Sequence, residues 1–515
     1  EAEAFGQSEA LTTRLRHILD AYADGPGVIS ELVQNADDAG ATEVRLMLDA
    51  RGETELGARS LLSPKMRAWQ GPAIVAWNDA TFSPSDFKNI ARIGQDSKVA
   101  KPAAAGRFGL GFNAVYHFTD LPSFVSGDHL VVLDPHAAFL PGASASKPGL
   151  KITFTNCDKS GGLLSQFPDQ FAGYRGLFGC DFRGAYDGTL FRFPLRSEET
   201  AKTSEIKAEA YAEDAARELF AAFKKNAARS LLFLKNVTTI GVYEMDANAT
   251  EATTTPPRDD ATVPAAPRLL YEVRVPAFQD GKDPRKAVAA WVANAAKSTK
   301  SFPDALRAAP EASLPAVTGW MDLDILHVEK SGGTRVDTQR WLLSCALAGG
   351  PAREMALSEL GRKRGLVPWV GAAARVPRVS EKSVSEPENA ETENEENKDD
   401  ALAALAVAGR AFCFLPLPVL TGLPVHVHAG FELSSNRRDV WHGEDASGGG
   451  HERGEWNATV LRDAVAPAYA RLLRAAATSL RDSPGDSETF FTKGRSAYYA
   501  LFPDSCSSTK TTKTT

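Results

Sequence analysis

The stretch Glu31-Leu32-Val33-Gln34-Asn35-Ala36-Asp37-Asp38-Ala39-Gly40-Ala41-Thr42 decides how this chain is read. Its spacing is helical. Ile29, Leu32, Val33 and Ala36 share one face. At ~100° per residue, Glu31, Asn35 and Asp38 fall within an arc of about 60° on the opposite face. Gly40 stops the helix, and the alternation at 44–48 starts a strand. One face therefore packs while the other presents two carboxylates and an amide. A carboxylate so placed can take a proton from water as general base. An amide oxygen can hold a hard cation such as Mg²⁺. A merely solvated polar face is the competing reading of the same three residues.

Working outward, residues 11–22 read as an amphipathic helix broken by Asp24-Gly25-Pro26-Gly27. Residues 73–77 read as a strand, and Ser83-Pro84-Ser85-Asp86 as a helix start with proline inside the first turn. Strand patterns at 129–134, 151–155 and 189–195 make the first unit, to about residue 200, a mixture of helix and sheet. Further on, 209–229 reads as a strong helix, 230–244 as strand-like, 269–275 and 319–328 as strands, and 286–298 as an alanine-rich helix. Residues 411–420 and 425–433 resume strands, and 455–480 close with one long helix. Residues 246–267 and 379–400 lack periodicity and read as disordered insertions, and 503–515 as a disordered Ser/Thr/Lys tail.

Composition narrows the function classes. The 515 residues are 43% hydrophobic and 24% charged, an ordinary globular balance. No apolar run approaches the ~20 residues of a membrane-spanning helix. The formal charge is −7, and residues 380–400, with nine acids and two lysines, account for a deficit of that size. The remainder is close to neutral, which speaks against a general nucleic-acid binder. Five cysteines without a C-x-x-C pair fit a reducing compartment rather than a disulfide scaffold or zinc finger. The repeat Glu1-Ala2-Glu3-Ala4, at a start without Met, is set apart from the fold as a fragment or processing feature.

Three more motifs carry potential chemistry. Gly106-Arg107-Phe108-Gly109-Leu110-Gly111-Phe112-Asn113 precedes a helix start, and backbone N–H groups in such a setting make an anion site. It fits neither a Rossmann fingerprint nor a Walker A loop. Trp77-Asn78-Asp79-Ala80-Thr81-Phe82 puts polar residues at a strand end, able to read a base edge. Asp187-Gly188-Thr189 opens another strand. His426 and His428 alternate on a strand without a third ligand and are read as structural.

In this order the four motifs resemble the GHKL ATPases: gyrase, the ninety-kilodalton heat-shock chaperone, histidine kinases and mismatch-repair ATPases. They are more similar still to the sacsin repeat, or Sacsin/Nov domain. Phe5-Gly6-Gln7, residues 31–42, Gln70-Gly71-Pro72-Ala73, residues 106–120, Ser126-Gly127-Asp128 and Leu133-Asp134-Pro135-His136 carry that resemblance. So do Phe191-Arg192-Phe193-Pro194-Leu195-Arg196, residues 411–418 and 422–426, and Asn436-Arg437-Arg438. The resemblance implies an α+β fold: a GHKL (Bergerat) two-layer α/β sandwich over 5–200, then a second, middle-like α/β domain over 205–480. It implies ATP and Mg²⁺ as cofactors, and a chaperone or co-chaperone module acting on protein clients in the cytoplasm, in which the seventy-kilodalton heat-shock system is a possible partner.

By position, Glu31 matches the general base, Asn35 the Mg²⁺ ligand, and Asp38 the next turn of the ATP-facing side. Gly106, Phe108, Gly109, Gly111 and Phe112 belong to the phosphate loop, residues 95–105 to a lid, and Thr189 to the adenine end. The family's D-x-G-x-G box is replaced here by Asn78-Asp79-Ala80-Thr81-Phe82, so either Asn78 or Asp79 is the adenine contact. Arg437 and Arg438 are the candidates for a middle-domain contact to the γ-phosphate. The intact helix motif favours an ATPase, and the altered box favours a nucleotide-binding scaffold without turnover. A histidine kinase would need an acceptor-histidine helix, and a topoisomerase a basic groove. Residues 379–400 offer almost nothing apolar to offset ordering entropy. Their deletion should move the thermal midpoint by less than about 5 °C, as read by calorimetry.

Overall fold

The computed structural model describes residues 9–91, 111–154, 162–247, 266–276, 278, 281–298, 301–329, 332–376, 408–434, 439–441, 450–481 and 498–503. Its frame is a mixed sheet that runs the length of the chain. At one end β1 (Glu43–Asp49), β2 (Ala73–Asn78), β3 (Ser123–Gly127), β4 (His129–Leu133), β5 (Gly149–Thr153) and β6 (Tyr186–Pro194) pair antiparallel in the order β1-β2-β6-β3-β4-β5. On the other side of β1 come β7 (Thr239–Met245), β8 (Arg268–Arg274), β9 (Ala316–Val328), β10 (Thr334–Leu347) and β11 (Trp369–Arg375). The far edge is β14 (His426–Ala429), β12 (Arg410–Cys413) and β13 (Leu415–Leu420). β1 and β7 join the two halves by parallel pairing, Glu43 opposite Thr239 through Asp49 opposite Met245.

The period of two along these strands builds two cores. Val44, Leu46, Leu48, Ile74, Ala76, Phe191 and Phe193 pack with Ile29, Leu32 and Val33 of α2 (Pro26–Ala39) and with Phe220 and Phe223 of the helix Glu213–Ser230. Met47, Val75, Trp77 and Leu190 point the other way, against Trp69, Phe171, Tyr174 and Phe182. Each such fully buried side chain is worth roughly 1.5–3 kcal/mol of transfer free energy. This end of the sheet is therefore covered on both faces: α2 and Glu213–Ser230 lie on one, loops and short helices on the other. α1 (Leu11–Ala21) packs on Tyr116 through Leu15, Ile18 and Leu19.

Several sequence expectations change in the structure. The apolar run at 231–237 is not strand, since β7 begins only at Thr239. It is a buried turn whose polar backbone is satisfied by side chains: Arg285 donates to Leu231 O, and Asp37 accepts from the N–H groups of Lys235, Asn236 and Val237. The run 411–420 is a hairpin, because Phe414 sits at φ 65°, where no strand continues. The closing helix is interrupted by a π turn, Leu461–Val465, between Gly450–Val460 and Ala466–Arg481. β3, β10 and β11 are additions; β11 is rich in Ala and Gly, which have little intrinsic strand preference. Most of the two expected insertions and almost all of the tail lie outside the described residues.

The hairpin is locked to β14 by two buried histidines. Arg410 N–H donates to His426 Nδ1 at 3.0 Å and Phe414 N–H to His428 Nδ1 at 3.1 Å. The rings stack on Trp341 and Phe233 respectively. Burial, with Arg229 and Arg410 nearby, pushes His426 down to about 4. Burial, with Lys235 nearby, pushes His428 down to about 3, against a weaker opposing hydrogen bond to Phe412. Both are thus neutral when folded, whereas the unfolded chain takes up these protons below pH ~6.5. Stability is kept above that pH and falls as the pH drops from 6.5 toward 4 and 3. For His428 the loss is on the order of 3–5 kcal/mol across the window. His428→Gln, which can still accept from Phe414, should be less stable at pH 7.5 yet show a flatter acid limb in urea titrations between pH 7 and 4.

Candidate functional site

α2 is flanked by Gly25, with Pro26 as its first residue, and is closed by Gly40 in the left-handed region at φ 88°. The N–H of Ala41 reaches back to Ala36 O at 3.0 Å, which turns the chain directly into β1. Ile29 and Val33 are fully buried on the sheet, while Glu31 and Asn35 are half-buried on the other side of the helix, where Asp38 also lies. This is the two-faced helix that the spacing predicts.

Glu31 rests on Gly111, the first residue of the 3₁₀ helix Gly111–His117. A Cβ on Gly111 would lie 1.8 Å from Glu31 Oε2 and 2.7 Å from its Cδ. Glycine is thus required for the carboxylate to occupy this position, and any larger residue displaces it. Phe112 turns its ring toward Phe191 and Phe193, with centroids 5.8 and 6.4 Å away. The far end of the 3₁₀ helix is clamped by Arg196, which is fully buried. Its guanidinium donates to Tyr116 O at 2.7 Å, His117 O at 3.1 Å and Asp120 Oδ1 at 2.8 Å. Arg192, also buried, donates to Trp69 O and Gly71 O in the same manner.

The strand-end box is committed to the backbone. Asp79 Oδ1 accepts from Thr42 N at 2.7 Å and Glu43 N at 3.0 Å, and its Oδ2 from the Thr42 hydroxyl at 2.5 Å. It therefore ties the end of β2 to the turn that follows α2. Asn78 is buried at the same strand end, and its Oδ1 accepts from Ala80 N at 3.0 Å. Thr189, fully buried, donates to Ala80 O at 2.7 Å and lies 2.8 Å from Ser126 Oγ, which also accepts from Phe82 N. The structure thus brings Thr189 and the 78–82 box together, as it brings Glu31 to Gly111.

Asp38 takes a different partner. Lys235 Nζ lies 2.5 Å from Asp38 Oδ1 and 3.7 Å from Asp37 Oδ2. All three side chains are at most 10% exposed. The same ammonium lies 5.0 Å from the Phe414 ring, on the far hairpin. Burial works against the ammonium, but Asp38 and Asp37 outweigh it and hold its pKa above the ordinary lysine value. Sequence reasoning passed over Asp37 and Lys235. The signal was there: a lysine alone in the apolar run Leu231-Leu232-Phe233-Leu234-Lys235 demands a buried anion.

A cavity of about 480 Å³ opens beside Glu31. One wall is the loop at 22–28 with Glu31 and Gln34; the other is the hairpin at 413–418 with Arg410, Glu432 and Arg453. Glu432 accepts from Arg364 at 3.1 Å and Arg453 at 3.2 Å. Arg410 has no carboxylate partner among the described residues. Neither Arg410 nor Arg453 stood out in the sequence. Gly106, Phe108, Gly109, the lid at 95–105, Arg437 and Arg438 lie outside the described residues. Among those described, no cluster of three or more His, Cys, Asp or Glu is arranged to hold a metal ion, and no helix is long and apolar enough to cross a membrane.

The model of the family described as Sacsin domain matches residues 8–256. Residues 8–256 are a Sacsin domain. Human sacsin is 28% identical over 536 residues, which take in 98% of this chain and 11% of that protein. The Sacsin domain contains α2, the box, Thr189, Gly111 and Lys235, and it ends beyond β7. The second cavity wall, from β10 onward, follows it. Lys235→Ala leaves Asp37 and Asp38 without their buried cation. It should lower the unfolding free energy by about 3–5 kcal/mol in urea titrations, and Lys235→Met with Asp38→Leu should recover much of the loss.

Proposed function

We propose that this chain is an ATP-binding, slowly ATP-hydrolysing module of the GHKL (Bergerat) type, working as a chaperone or co-chaperone on protein clients in the cytoplasm. The observation that carries the reading is the Glu31 carboxylate lying on the backbone of Gly111, where the glycine loop meets its helix, with a cavity between the two halves beside it. Bound Mg-ATP supplies the reactive phosphoanhydride. Glu31 Oε2 would accept the proton of an attacking water. The Asn35 amide oxygen would supply a ligand to Mg²⁺, with phosphate oxygens and water completing the shell. Backbone N–H groups at Gly106, Gly109 and Gly111 would take phosphate oxygens. Asn78, next to Thr189, is preferred to Asp79 at the adenine end, because both Asp79 oxygens already serve Thr42 and Glu43. Arg437 and Arg438, from the resemblance, and Arg410, from its place on the cavity wall, are the candidate γ-phosphate contacts.

The engaged Asp79 also supports a second reading, a nucleotide-binding scaffold without turnover. Single-turnover hydrolysis separates the two. Glu31→Ala should keep Mg-ATP binding and lose about 10²–10⁴ in rate, while Asn35→Ala should lose Mg-dependent binding in calorimetry without unfolding. Binding by the wild type with no turnover in either protein would establish the scaffold. Absence of Mg-ATP binding up to millimolar concentrations would end both readings.

A further inference from the structure

A second cavity, of about 420 Å³, lies away from Glu31, between the helix Ala466–Arg481 and strands β9 and β10. Its lining includes Lys282, Thr318, Trp320, Arg471 and Arg474. Arg471, Arg474 and Thr478 recur at three- and four-residue spacing, so one face of the helix meets the cavity. Three cations converge here, and no carboxylate is among the described lining residues. Nor do Lys282, Arg471 or Arg474 form an ion pair with any described residue. Asp283 binds Arg285 at 2.9 Å, Asp324 and Asp337 pair with Arg274 and Arg335, and Asp322 stands across the register from Arg340, outside the cavity lining. The Arg340 guanidinium stacks 4.3 Å from the Trp320 ring, behind that wall.

Arg471 is the telling member. Burial pushes its pKa down, against a weaker opposing influence of the Cys345 thiol. The side chain is half-buried, and its buried Nε has no hydrogen-bond partner among the described residues. A buried guanidinium N–H without an acceptor is costly, and an anion in the cavity would satisfy it. We propose that this cavity binds a small phosphate-bearing anion, with Arg471 and Arg474 taking phosphate oxygens, Lys282 adding charge and the Thr318 hydroxyl donating a further hydrogen bond. The planar fork of arginine suits phosphate, and three unneutralised cations select a multivalent anion over a monocarboxylate.

Inorganic pyrophosphate is the probe, read at low ionic strength by calorimetry and thermal shift. Wild-type protein should bind it and gain thermal midpoint. Arg471→Gln should weaken that binding tenfold or more, and Arg474→Gln should act in the same direction. Because Arg471→Gln removes a half-buried charge without an ion-pair partner among the described residues, the ligand-free midpoint should stay level or rise, which separates lost binding from lost folding. Arg471→Lys, keeping charge without the fork, should fall between. Asn35→Ala tests the other candidate phosphate site and should leave the Arg471-dependent component in place. Equal binding by wild type and Arg471→Gln, acetate binding as tight as pyrophosphate, or no pyrophosphate binding up to 10 mM would overturn the proposal.

Discussion

A single buried ammonium holds the molecule's parts in register. Lys235 neutralises the end of α2 through Asp38 and Asp37, while Asp37 in turn receives three successive backbone N–H groups of the turn that carries Lys235. The ring of Phe414 closes the cage from the far hairpin. The position of α2, the start of β7 and the approach of the second half all follow from this contact. Removing either sign of charge alone leaves the other stranded in a low-dielectric interior, so the pair acts as a unit.

The same division of labour recurs around Glu31. Residues that look reactive in the sequence are partly structural. Asp79 is an anchor for the turn at Thr42 and Glu43, and Thr189 is a bolt between two strand ends. Arg192 and Arg196, in β6 and just beyond it, are buried clamps on backbone carbonyls. Arg196 holds the far end of the 3₁₀ helix that Gly111 begins, and Arg192 holds the loop before β2.

Much of the first half was legible because its signals are local. Period, glycine stop and proline start gave α1, α2 and the helix Pro84–Ile90, whose Ser83–Asp86 capping box is present. The pairing of Glu31 with a glycine of the later loop was legible as motif order, though not as a contact. What escaped depends on tertiary partners. The turn at 231–237 is as apolar as a strand, and only Asp37 and Arg285, distant in sequence, make its backbone affordable in the interior. Phe414 breaks a strand pattern with a left-handed backbone that its own residue type disfavours, offset by its N–H bond to His428. Arg410 and Arg471 matter through what surrounds them, and no spacing along the chain records that.

The parallel seam between β1 and β7 bears on how the chain can be divided. β1 belongs to the first half by its order in the chain, yet one of its two hydrogen-bonding edges is filled from the second. A piece ending after β6 would expose seven residues of bare strand edge, Glu43–Asp49, and would also uncover Val44, Leu46 and Leu48 where Glu213–Ser230 shields them. An open, apolar edge of that length recruits strands from other molecules. Self-association of such a fragment would then reflect the missing neighbour rather than any native oligomer, and a divided chain keeps its solubility only if β7 travels with β1.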